Sequence, residues 1–272
     1  MSGRACAHPR EVIMAYRYET HLHTCQGSLC GASTGAEHVR WYKEIGYQGI
    51  IITDHFFGGN TAVPRTGTWK ERIDWFCSGY EDALIEGQKI GLDVFFGWEQ
   101  GYKGDEYLVY GLDKQWLLNH PEVETWTRRE QLEGVHRDGG CVIQAHPFRD
   151  RAYINRIRLA RQFCDGIEVA NAGNHPYNDA YALRYAREFG FICTAGSDNH
   201  RSPAANPMGI ETEEKLGSIQ DLVKLVRTHG KITPIVPEGW FEQGFAEAPQ
   251  LETYWLDEDE HTYPTGRSWL AD

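Results

Sequence analysis

Gly49-Ile-Ile-Ile-Thr-Asp-His55 is a short apolar run that ends in a carboxylate and an imidazole. The run reads as a buried strand, and the residues that close it are of a kind that binds metal ions. The pattern recurs along the chain. Residues 16–20 lead into His21-Leu22-His23, residues 94–98 into Glu99, residues 141–145 into His146, and residues 191–196 into Asp198-Asn199-His200. Parallel strands with functional residues at their C-terminal ends describe the mouth of an α/β barrel.

Helical stretches separate these runs. Residues 34–46 place Ala36, Val39, Trp41 and Tyr42 at apolar positions, with Gly46 as a stop. Residues 69–91 read as one long amphipathic helix. Further helices are expected over 125–139, 151–163, 178–189 and 218–229, and further strands over 107–111, 166–172 and 231–237. Alternating strands and helices imply a parallel sheet with right-handed crossovers. The expectation is one α/β barrel domain over residues 1–272, in which the aromatic, acidic tail 238–272 packs on the barrel.

The 272 residues suffice for one large domain with a buried core. Lys and Arg number 27 against 39 Asp and Glu, a net charge of −12. This argues against a grip on long nucleic acid, which needs cations to neutralise phosphates. A small phosphorylated substrate remains compatible, because bound metal supplies local positive charge. The seven cysteines, Cys6, Cys25, Cys30, Cys77, Cys141, Cys164 and Cys193, are scattered and imply no disulfide framework. Cys141, Cys164 and Cys193 read as packing residues. Residues 1–15 lack an apolar signal core, and no apolar run is long enough for a membrane span. The expected setting is the cytoplasm.

His21 and His23, two apart on a strand, point to one face and can share an ion; a hydrogen-bonded polar pair is the other reading. Adjacent strand residues point to opposite faces, so His55 is the better ligand of its pair. Asp54 becomes a candidate catalytic group that accepts the second N–H of His55 or a proton from water. Glu99 can bridge two ions or pair with a basic loop residue. Pro147 ends the strand before it, leaving His146 at its tip. Asp198 and His200 again share a face. Arg149 and Arg201 each follow a ligand motif and can clamp a phosphate, or lie on the surface as ordinary arginines. Glu168 reads as a supporting residue within its strand. His175 reads as a loop histidine.

The ordered set His-x-His, Asp-His, Glu, Ala-His-Pro and Gly-Ser-Asp-x-His, spanning about residues 16–200, resembles the PHP (polymerase and histidinol phosphatase) family. The resemblance implies a distorted seven-stranded (β/α) barrel and two or three divalent transition metal ions, Zn, Mn or Fe, hydrolysing phosphate esters. By position, His21, His23, Glu99 and Asp198 would hold one ion, Glu99 and His146 a second, and His55 and His200 a third. Two departures stand out. Ser28 and Leu29 occupy positions where the family often has an Asp or His, which predicts a weaker third ion that an acidic residue at 28 would strengthen. Glu106 stands where a His often precedes the next strand, and is a candidate ligand near the second ion. The reading is a metal-dependent phosphoesterase acting on a small phosphorylated compound. Its rivals are a nuclease, a non-phosphate hydrolase on the same barrel, and a non-catalytic metal-binding module.

Overall fold

The computed structural model describes residues 15–270. Cys6 and most of the N-terminal segment judged to lack a signal core lie outside the described residues. The first strand, β1 (Tyr16–Glu19), is followed by helix α1 (Gly35–Glu44) and strand β2 (Gly49–Ile52). Helices α2 (Trp69–Phe76) and α3 (Ser78–Ile90) lead to β3 (Asp93–Tyr102) and β4 (Asp105–Tyr110). Next come α4 (Lys114–Asn119), a 3-10 turn (Pro121–Thr125), α5 (Arg128–Arg137) and β5 (Cys141–Ala145). The chain continues through β6 (Ile157–Leu159), β7 (Gly166–Asn171), α6 (Pro176–Phe189), β8 (Ile192–Gly196) and β9 (Gly209–Thr212). It ends in α7 (Ile219–Arg227), β10 (Thr233–Ile235), α8 (Trp240–Glu247), β11 (Thr253–Leu256) and β12 (Thr262–Pro264).

Nine strands form one sheet in the order β10-β9-β1-β2-β3-β4-β5-β7-β8, and β8 returns to lie against β9 and β10, so the sheet nearly closes into a barrel. This differs from the seven parallel strands expected. The pairs β3/β4, β4/β5, β1/β9 and β9/β10 are antiparallel, whereas β1/β2, β2/β3, β5/β7 and β7/β8 are parallel. The reversal at β4 has a local cause. Lys103 and Gly104 both take positive φ, 41° and 107°, the turn geometry that joins antiparallel neighbours without splaying them.

β2 is buried along its whole length, as suits a parallel strand covered on both faces. The helices begin where short polar residues can cap them: Thr34, Thr68 and Thr127 each accept an N–H of the first turn. Residues 69–91 are two helices rather than one. The chain restarts at Ser78, which brings Gly79 against Thr24 of the loop after β1. Residues 151–163 are not helical. Ile157 and Leu159 are buried in β6, which pairs with β11 from the far end of the chain, so a distant partner overrides the local pattern. The segment after residue 238 supplies α8 against α6, and Trp255 and Trp269 enter the same apolar cluster as Phe148, Tyr185 and Phe163. Cys141 and Cys164 are buried and Cys193 is half-buried; the described cysteines are all free thiols. Among the described residues no helix is long and apolar enough to cross a membrane.

Candidate metal centre

The ring of strands is tied together at the site itself. Past the end of β1, Leu22 bridges to Asn199, and past β2, His55 bridges to Glu99. The His23 N–H donates to the Asn199 carbonyl, so the loops after β1 and β8 meet where the barrel closes. A side chain on Gly196 would start 2.4 Å from the His21 Cβ, which is why glycine stands at that crossing. His146 and Asp198 both take left-handed backbone, φ 29° and 50°. Such conformations are costly for residues with a Cβ and persist where surrounding structure holds them, often at functional sites.

Glu99 lies at the centre. Its Oε1 is 3.1 Å from His146 Nε2 and 3.3 Å from His21 Nε2; its Oε2 is 2.7 Å from His55 Nδ1 and 3.6 Å from His23 Nε2. Asp198 Oδ1 is 3.0 Å from His23 Nε2 and 3.6 Å from His21 Nε2. Glu106 sits at the rim, Oε2 3.5 Å from His146 Nε2 and Oε1 4.0 Å from His55 Nδ1. Four groups have ligand-type atoms that all fall within 4.8 Å of one another: His21, His23 and Asp198; His21, Glu99 and His146; His55, Glu99 and Glu106; and His23, His55 and His200. Every metal-ligand candidate from the sequence is therefore in this cluster, and Glu106 joins it.

These close approaches are not all hydrogen bonds. His21 Nε2, His23 Nε2, His55 Nδ1 and Glu99 Oε2 are buried yet have no aligned partner. Supporting contacts fix the rings. His21 Nδ1 lies 2.9 Å from Glu168 Oε1, and a carboxylate only accepts, so Nδ1 carries a proton and Nε2 is the nitrogen turned to Glu99 and Asp198. Likewise His200 Nδ1 donates to the Asp198 carbonyl, 2.7 Å away, which leaves its Nε2 free. Burial alone would push the Glu99 and Asp198 carboxyls up. The charges of His21 and His55 hold Glu99 well below the usual range, and those of Arg149 and His21 do the same for Asp198. For His21 burial opposes charging, but Glu168, Asp198 and Glu99 together raise its basicity well above normal. The pocket thus demands positive charge.

The remaining predicted residues are placed differently. Asp54 turns away from the His55 ring. Its Oδ1 accepts from the Thr24 N–H and the Ser28 hydroxyl, and its Oδ2 from the Thr24 hydroxyl, all at 2.7 Å. Arg149 is half-buried and its Nη2 donates to Asp198 Oδ2 at 2.6 Å and to Asn171 Oδ1, while Nε donates to Asn174 Oδ1. Arg201 is exposed and is joined to the site through its backbone N–H, which donates to Asn199 Oδ1. Exposed His175 stacks on Tyr177 at the start of α6. Sequence reasoning missed Asn171 and Asn174, which hold Arg149, and Glu19, which accepts from the His21 and Ser197 N–H groups and from the Tyr42 hydroxyl. Glu19 stands two residues before His21 on β1, a spacing that could have marked it.

No family model matches the chain, and no curated protein matches its sequence. Solved structures do match. A protein from Bifidobacterium adolescentis assigned as a metal-dependent phosphoesterase superposes with a TM-score of 0.51 at 16% identity, covering 79% of this chain and 97% of its own. A two-domain protein from Bacteroides vulgatus, containing a PHP-like metal-dependent phosphoesterase assigned by prediction, gives 0.60 at 13% identity over 88% and 72%. PsfC from Pseudomonas syringae gives 0.54 at 15% over 84% and 94%. The chain therefore has the fold of the PHP-like proteins.

Proposed function

We propose that this chain is a metal-dependent phosphoesterase of the PHP type acting on a small phosphorylated substrate. The observation that carries the reading is the His21 ring. Glu168 takes the Nδ1 proton, so Nε2, buried and without an aligned hydrogen bond, is the atom turned to the Glu99 and Asp198 carboxylates, a converging donor set that a bound cation would satisfy. By this reading His21, His23, Glu99 and Asp198 hold one ion, Glu99, His146 and Glu106 a second, and His55 and His200 belong to a third. The mixed nitrogen and oxygen donors suit Zn, Mn or Fe. Ions held there supply an activated water and charge to offset phosphate oxygens.

The chain's own residues do the positioning. Glu168 orients His21 through Oε1 and takes the His146 backbone N–H on Oε2. Arg149 occupies Asp198 Oδ2 and leaves Oδ1 facing the two histidines. Asp54 fixes the loop carrying Thr24 and Ser28. The excess of 39 acidic over 27 basic residues favours a small substrate over a nucleic acid polymer.

The test is elemental analysis of protein purified without chelators, together with a panel of small phosphate mono- and diesters. More than one transition metal ion per chain, and ester turnover that chelation abolishes and metal restores, are expected. Less than one ion with no uptake of added Mn or Zn would overturn the metal reading. Cleavage of long DNA, RNA or amides with no turnover of any small ester would overturn the substrate reading.

A further inference from the structure

Glu106 differs from the other ligand carboxylates in what holds it. Asp198 has Arg149 on one oxygen, and Glu99 sits inside a ring of imidazoles. Among the described residues the Glu106 carboxylate makes no hydrogen bond; it only approaches His146 and His55, at 3.5 and 4.0 Å. Its strand partners, Gly101 on β3 and Ala145 on β5, have no side chain long enough to steer it. Its aim is set by the backbone of the β3–β4 hairpin.

That backbone is gripped from the opposite face. Asp105 precedes Glu106, and successive residues of a strand point to opposite sides. Asp105 is buried and accepts from Arg128 Nε and Nη2, both at 2.7 Å, and from the Tyr107 hydroxyl at 2.8 Å. The Arg128 guanidinium also lies 4.6 Å from the centre of the Tyr102 ring, so it holds both ends of the turn at Lys103-Gly104. Arg158 adds a donor to the Lys103 carbonyl at 2.8 Å.

Arg128 is in turn fixed by the far end of the chain. Glu260, in the turn between β11 and β12, accepts its backbone N–H through Oε1 at 2.7 Å and its Nη1 through Oε2. Glu260 has a left-handed φ of 62°, which is costly for a residue with a Cβ and persists where contacts impose it. The C-terminal hairpin does not need this pair to stay attached. β11 already pairs with β6, and Trp255 and Trp269 enter the apolar core.

We propose that Arg128 and Glu260 are positioning residues of the metal centre. Through Asp105 they set the angle at which Glu106 meets the second ion, and they make the C-terminal hairpin part of that site. The inference rests on the metal reading given above.

Metal-free protein titrated with Mn(II), with the free ion followed by electron paramagnetic resonance, tests it. Glu106→Gln identifies the equivalent that Glu106 helps to hold. Glu260→Gln keeps the shape of the side chain and leaves Arg128 paired with Asp105. It should weaken that same equivalent by roughly 10–100-fold, as loss of a group orienting a ligand commonly does, and leave the equivalent at His21 and His23 unchanged. In the Glu106→Gln background it should have no further effect, because two changes on one route do not add. Glu258→Gln, on the same turn but paired with Arg129 at the surface, should bind Mn(II) as the unmodified protein does. Four results would each overturn the positioning role and leave the metal reading standing: normal Mn(II) affinity in Glu106→Gln or in Glu260→Gln, equal weakening of every equivalent, the same weakening in Glu258→Gln, or a loss that persists in full in the double variant. Absence of Mn(II) uptake by the unmodified protein would overturn both.

Discussion

Glu99 faces four imidazoles with two oxygens, whereas Asp198 and Glu106 each face only two of them. Glu99→Gln keeps the shape and removes the charge. The expected outcome is loss of most bound metal and of most turnover, with an unchanged circular dichroism spectrum; elemental analysis of the variant checks it. Arg149 tests a different point. Its guanidinium is held by Asn171 and Asn174 and spends Nη2 on Asp198, so it acts first on a ligand. Arg149→Met should weaken metal binding by roughly 10–100-fold, as loss of a group orienting a ligand commonly does. Unaltered metal affinity with a raised KM would instead make Arg149 a substrate clamp.

At the scale of elements, the loop that carries Thr24 and Ser28 is held from below by α3. A Cβ on Gly79 would lie 2.0 Å from Thr24 Oγ1, the hydroxyl that donates to Asp54. Gly79→Ala should cost about 1–3 kcal/mol by overpacking, measured by chemical denaturation, and should also loosen metal binding through that loop. The ligand-bearing strand ends were legible in the sequence because each apolar run stops on a residue that has no reason to follow it unless it is used. The antiparallel hairpin was signalled only by Lys103-Gly104, a weak local cue. Glu168 reaches His21 beside a register shift between Glu168 and Ala170, which no alternation pattern announces. β6 was hidden for a similar reason: Ile157 and Leu159 become a strand by pairing with residues almost a hundred positions later. The Asn171 and Asn174 contacts to Arg149 likewise exist only once β5 and β7 are neighbours.

Across the whole molecule, buried carboxyls outside the ligand set link distant parts of the chain. Asp179 of α6 accepts from the Asn171 N–H, from Asn174 Nδ2 and from Trp240 Nε1 of α8. Burial outweighs these donors and pushes its pKa up from 3.8 to about 7. The folded protein therefore binds this proton more tightly than the unfolded chain. The corresponding stability is fully present below the unfolded value and is lost as pH rises through about 7. Denaturation at pH 5 and pH 8 should show a fall in stability that Asp179→Asn reduces by on the order of a few kcal/mol, the buried Glu19 and Asp54 carboxyls supplying the rest. An identical fall in the variant would place the effect elsewhere. Trp269, packed on Phe148, Tyr185 and Trp255, is expected to cost about 3–5 kcal/mol when replaced by Ala, showing how far this late segment supports α6 and the loop after β5.

β1 lies between β2, its near neighbour in sequence, and β9, with Tyr16 opposite Thr212. That placement has a consequence for how the protein is made. As the chain leaves the ribosome, β1 waits for nearly two hundred further residues before its second edge is covered, and pairing of such sequence separation is slow. His21 and His23 emerge early, while Asp198, which faces them, emerges late. On the metal reading, an ion offered to the nascent chain would meet two imidazoles without Asp198 opposite them, so uptake is expected to follow synthesis, once the barrel has closed around the place that would hold it.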